Sequence, residues 1–202
     1  MRKLAFLSIV LALLCIETAL GCQFENLRGS LLEFSNYVDN HPDYISSRDN
    51  GGRTPLHKAA TCKRADAIAF LLESRPSIID ELDYSGASAL HTSAENNCVD
   101  CVRFLLERSK DKNVCLSTFY SKNTPLHYAV KGENVEIIQM ILTFCYRSIY
   151  KKNDDGETPL SIATAKDDPD ISQIFNYLDV KLSDAFNKLK LPLDERMKLF
   201  GW

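Results

Sequence analysis

The chain has 202 residues, 45% of them apolar and 25% charged, with a net charge of −3. Those proportions supply one substantial core and exclude a disordered polyelectrolyte. So mild an acidity also argues against a nucleic-acid or anionic-membrane surface, for which a basic patch is expected.

At the amino end, Arg2 and Lys3 precede an uncharged apolar run from Leu4 to Ile16, and Ala19-Leu20-Gly21 places small residues at −3 and −1 of a cleavage site. This is the layout of a secretory signal peptide over residues 1–21. The run falls short of the about 20 residues a bilayer span requires, and Glu17 interrupts it. A bacterial lipoprotein signal would also end before Cys22, but it favours a large aliphatic residue where Ala19 stands. Cleavage before Cys22 leaves 22 basic against 26 acidic residues, a net charge of −4. The expected location is extracellular, or periplasmic in a bacterium. Six cysteines remain: Cys22, Cys62, Cys98, Cys101, Cys115 and Cys145. An oxidising compartment permits them to pair, in any of fifteen ways. No glycosylation sequon and no retention tail occurs.

From residue 48 onward the chain repeats itself. "RTPLHKAA", "SALHTSA", "NTPLHYAV" and "ETPLSIAT" mark the same point at Thr54, Ser88, Thr124 and Thr158, spaced by 34, 36 and 34 residues. Thr or Ser suits a helix N-cap, and Pro at the first helical position loses no hydrogen bond. Leu56, Leu90, Leu126 and Leu160 then point to a core, and Ala59, Ala60, Ala94 and Ala163 keep one helix face thin. Eleven residues after each marker a second apolar stretch opens, at Ala65, Val99, Val135 and Pro169. Ile68, Phe70, Leu71 and Leu72 correspond there to Val102, Phe104, Leu105 and Leu106, and to Ile138, Met140, Ile141 and Leu142. Spacing of three and four predicts a buried helical stripe. "RDNGG", "DYSG" and "NDDG" supply tight turns between repeats.

A period near 33 residues, two helices per unit and the Thr-Pro-Leu-His tetrapeptide resemble the ankyrin-repeat family. The resemblance covers residues 48–178 with four repeats and implies an all-α solenoid of helix-turn-helix units with turn tips. Residues 22–47 resemble a partial, capping repeat, with Gly29 between its helices and Leu31, Phe34, Tyr37 and Val38 on its core positions. Residues 179–202, with Val180, Leu182, Phe186, Leu189 and Leu191, suit a capping helix and tail. Departures are visible: Ser88-Ala89 replaces Thr-Pro, Lys122 stands at the usual turn glycine, Ser161 replaces the histidine, and two extra residues fall in the finger "SKDKNVCLSTFYSKN".

The resemblance gives His57, His91 and His127 a structural role, bonding the marker residue and the backbone of the next turn. Equivalent positions in packed helices lie about 10 Å apart, too far for shared ligation of a metal, so no metal and no cofactor is expected. Cys98-Val-Asp-Cys101 is the one motif with redox potential, but it lacks the preceding strand of thioredoxin-like sites. Cys101 reads as a free core cysteine. Cys62 with Cys98, both in helix-joining turns, and Cys115 with Cys145, both near second-helix ends, are the candidate disulfides. No catalytic motif such as G-x-S-x-G or H-E-x-x-H occurs, and the chain is read as a non-enzyme.

The function this implies is a secreted, monomeric module that binds a protein partner, with delivery to a host cell as one use of the signal. A thiol redox protein and a protective protein without a specific partner are the alternatives. By resemblance, the partner meets the tips and the exposed side of the first helices: Asn50, Arg53 and Thr61; Tyr84, Ser85, Glu95 and Asn96; Tyr120, Ser121, Asn123 and Lys131; and Asp154, Asp155 and Glu157.

Overall fold

The computed structural model describes residues 27–109, 115–166, 168–171 and 173–175. The expected signal at 1–21, part of the finger at 110–114 and the expected cap at 179–202 lie outside the described residues.

Local sequence places the helices. α1 (Leu31–Asn40) begins at Ser30, whose hydroxyl accepts from the Glu33 amide while the Glu33 carboxylate takes the Ser30 amide. The reciprocal bonds satisfy two donors that a helix start leaves open. α2 (Pro55–Thr61), α4 (Ala89–Glu95), α6 (Pro125–Lys131) and α8 (Pro159–Ala165) each follow a marker residue held in extended backbone. α3 (Ala65–Ser74), α5 (Val99–Arg108) and α7 (Val135–Cys145) are the second helices of three repeats, and the chain is helical again at 169–171 and 173–175. Short 3₁₀ turns, Pro42–Ser46, Pro76–Asp80 and Tyr146–Tyr150, follow α1, α3 and α7. Among the described residues there is no strand, only one isolated antiparallel bridge between Leu82 and Ser88.

The helices stack in two layers. First helices pack in the order α2, α4, α6, α8, second helices in the order α1, α3, α5, α7, and each pair closes on itself. Stability in such a stack is a sum over repeats and their nearest neighbours. The core runs between the layers as one cluster: Leu56, Leu90 and Leu126 meet Ile68, Leu71, Val102, Leu105, Ile138 and Ile141, and Ala59, Ala94, Ala129 and Ala163 are fully buried. Ile78 and Ile149 of the 3₁₀ turns join it.

Some expected core positions sit at its margin. Phe70, Phe104, Met140, Tyr37 and Leu160 are half-buried and pack against the cluster from outside. Leu31 is exposed at the first turn of α1, whereas Phe34 and Val38 are buried. No helix among the described residues is long and apolar enough to cross a membrane.

Candidate partner-binding face

Histidines stand at the start of three first helices, and two of them bond across to the next repeat. The Thr54 amide donates to His57 Nδ1 at 3.3 Å, so Nδ1 is the acceptor and the proton resides on Nε2, 2.9 Å from the Ala87 carbonyl in the next turn. His127 repeats this with Thr124 and with the Glu157 carbonyl at 3.2 Å. In the fourth repeat, Ser161 keeps only the local half, its hydroxyl accepting from the Thr158 amide at 2.8 Å. His91 accepts from the Ser88 amide at 3.1 Å, but its buried Nε2 has no hydrogen-bond partner. The backbone of Asn123 and of Leu116 still favours its protonated form, though less than burial disfavours it. Burial lowers all three histidines below the ordinary range, against the pull of nearby carbonyls, and lowers His91 to about 4. Each is neutral at pH 7.

The turn that His91 faces is also built differently. In the regular turns the amide of Asp83 or Asn153 donates to the carbonyl four residues on, while Asp83 or Asn153 accepts from the returning backbone. In the third turn the Thr118 amide reaches five residues, to Asn123, and the Thr118 hydroxyl takes the Asn123 amide. One extra residue sits in that tip.

The tips are joined edge to edge. Tyr84 N–H donates to Gly51, Phe119 N–H to Ser85, and Asp154 N–H to Ser121, at 2.7 to 3.0 Å. Gly52 and Gly86 hold φ of +75° and +80°, and a Cβ on either would overlap the ring of Tyr84 or Phe119 respectively. Lys122 occupies the corresponding left-handed position at φ 52°, and its ammonium meets Asp154 at 2.9 Å. The result is an exposed aromatic row: Tyr84 is 64%, Phe119 61% and Tyr120 76% exposed.

Between the tips and the first helices lies a depression of about 480 Å³. Arg53, Thr61, Ser85, Glu95 and Asn96 line it together with Asp83, Thr92 and Tyr128. Arg53 is braced by Asp49 at 2.9 Å, Asn96 by the Thr92 carbonyl at 2.8 Å, and the Tyr128 ring stands edge-on to His91. Its polar groups are thus held before any ligand arrives, which lowers the ordering cost of binding.

Family models describing ankyrin repeats match residues 22–115, as three copies, and residues 90–142, as many copies. Together they span more than half of the chain. The chain belongs to the ankyrin-repeat family. A comparison with curated proteins finds no match.

In the ankyrin array, five expected contact residues thus share one depression, and most of the others are exposed along the tips and first helices. Lys131 and Glu157 approach at 4.0 Å, and Asp155 is exposed beside the Lys122-paired Asp154. Asn123 is the exception: it is buried, and its side chain bridges Ser121 and Asn153 within the turn stack. Tyr120 is not the equivalent of Tyr84. The inserted residue gives that place to Phe119 and leaves Tyr120 beyond it, so a length difference legible in the sequence moved a ring that repeat counting assigned elsewhere. Thr92 and Tyr128 went unnoticed although each directly follows a marker histidine.

The cysteines correct the sequence reading in one pair. Cys115 and Cys145 are bonded, with Cα atoms 5.5 Å apart, within the usual disulfide range. Cys98 is bonded to Cys101, not to Cys62, and Cys101 is therefore not free. A helix start brings residues three apart together: Cys98 is the N-cap of α5, its sulfur accepting from the Cys101 amide at 3.3 Å. Cys62 is also disulfide-bonded. Cys98 and Cys101 are 5% and 0% exposed, which withholds them from thiol exchange with another protein. No group of histidines, cysteines and carboxylates among the described residues is arranged to hold a metal ion.

Proposed function

We propose that this ankyrin-repeat chain is exported and binds a protein partner through the depression and the aromatic tips beside it. Ankyrin repeats are interaction modules, and the observation that carries the finer reading is the row Tyr84, Phe119 and Tyr120 bordering pre-braced polar groups. Tyrosine is enriched among the residues that dominate interface energy. Export rests on the charged, apolar and small-residue blocks of residues 1–21 and on paired cysteines, which persist in oxidising compartments. Delivery to another cell or to a host is the use that joins an export signal to an interaction module.

Affinity capture from the surroundings into which the protein is released, with the chain beginning at Cys22 as bait, tests the reading. Tyr84→Ala with Tyr120→Ala is expected to weaken capture by about 2 kcal/mol, roughly 30-fold in Kd. Tyr120→Ala alone leaves the melting curve in place. Tyr84→Ala lowers it slightly by uncovering Gly52. Unchanged affinity in the double variant would move the site off the tips. Amino-terminal sequencing of the released protein checks export separately, with Cys22 as the expected first residue; a retained Leu4–Ile16 segment would remove the export claim.

A further inference from the structure

A second surface, sharing no lining residue with the depression, lies where the chain leaves the 110–114 segment and meets the end of α7. Beside the Cys115–Cys145 bond, Leu116, Phe144 and Tyr146 are 45%, 46% and 36% exposed. They surround a pocket of about 180 Å³, close to the volume of one large apolar side chain, and Arg147 and Lys151 complete its wall. Core packing does not require these three side chains, since Cys145 and Ile149 already fill the space beneath at 3% and 1% exposure. Contiguous apolar surface of this kind, rimmed by polar groups, marks an interaction site.

The rim states the charge of the occupant. No carboxylate is among the lining residues. Elsewhere on this acidic chain several exposed cations are matched: Arg103 faces Glu136, Lys122 faces Asp154 and Lys166 faces Glu133. Lys151 makes no ion pair among the described residues. The Arg147 guanidinium lies 5.8 Å from the Tyr146 ring centroid and its Nε donates to the Tyr146 hydroxyl at 3.2 Å. That contact holds it at the rim and leaves its other N–H groups for a carboxylate.

We infer that this pocket docks an acidic segment of a protein partner, one apolar side chain entering between Leu116, Phe144 and Tyr146 while flanking carboxylates pair with Arg147 and Lys151. The disulfide ties the segment after the finger to the end of α7 and so holds two walls of the pocket together. Two cations around a space for one side chain suit a peptide better than a nucleic acid, whose binding rests on many phosphate contacts.

The test is fluorescence polarisation with the full chain and the labelled peptide GEEFEDG, with GKKFKKG and GEESEDG as controls. Saturable binding of the first peptide is expected, none of the lysine peptide, and at least about tenfold weaker binding of the serine peptide. Arg147→Glu with Lys151→Glu should weaken binding at least about tenfold without changing the melting curve, because both side chains are on the surface. Tyr84→Ala with Tyr120→Ala should leave it unchanged, which separates this surface from the tip site. The inference is overturned if GEEFEDG shows no saturation by about 1 mM, if the charge-reversed protein binds it equally, or if the tyrosine variant loses it instead. Displacement of the peptide by phosphatidylglycerol vesicles, with tighter binding to them, would make the occupant a lipid surface and overturn it too.

Discussion

Leu105→Ala is expected to remove about 2 to 5 kcal/mol, as truncation of a buried leucine does when the surroundings close only partly over the cavity. Leu105 is 1% exposed in α5, which packs on α3 before it, α7 after it and α4 within its own repeat. A cavity there weakens both interfaces of the central repeat at once. Because each repeat leans only on its neighbours, the unfolding transition should also broaden as the two ends uncouple. Urea unfolding followed by circular dichroism measures both effects. Leu32→Ala, 69% exposed on α1, is the matched control and should stay within about 0.5 kcal/mol of wild type. Wild-type stability for Leu105→Ala would mean that the second-helix register is wrong.

Acidification from pH 7 to about 4.5 is expected to strip most of the stability that the neutral histidines supply. His91 is held at about 4 by burial, while the same side chain in the unfolded chain titrates near 6.5. Between those values the unfolded chain binds a proton that the folded chain refuses, so stability rises with pH across the window and is lost as pH falls through it. At about 1.4 kcal/mol per unit, the full window for His91 amounts to roughly 3 kcal/mol. His57 and His127, also lowered by burial, act in the same direction. Asp66, held low by the Arg64 guanidinium, adds its loss only further down, below the ordinary aspartate range. Urea midpoints at pH 7 and 4.5 give the magnitude, and His91→Gln assigns it by flattening the slope. Equal midpoints at the two pH values would contradict the buried neutral state, and a parallel slope in His91→Gln would place the effect elsewhere.

A protein exported into an acidic compartment would meet that window directly. His91 is lowered furthest of the three, with burial the largest cause. Phe119 and Tyr120 project from the turn that His91 faces.

Periodicity alone was enough to place the repeats, the helix starts at Thr54, Ser88, Thr124 and Thr158, and the buried stripes of α3, α5 and α7. Those features rest on interactions three or four residues apart, which a linear sequence displays without distortion. The family resemblance, carried over repeat by repeat, set most of the tip and first-helix residues on the surface. Tertiary structure alone decided which of them meet: that Arg53, Thr61, Ser85, Glu95 and Asn96 share one depression, that Asn123 turns inward, and that Tyr84 roofs Gly52 from a different repeat. It decided the cysteines too, because pairing depends on the distance and direction of Cβ atoms rather than on equivalent positions in successive units. Above all it decided what the extra residue in the third turn does. A repeat count records the insertion as a length, but only the folded turn shows that it brings Phe119, not Tyr120, into line with Tyr84.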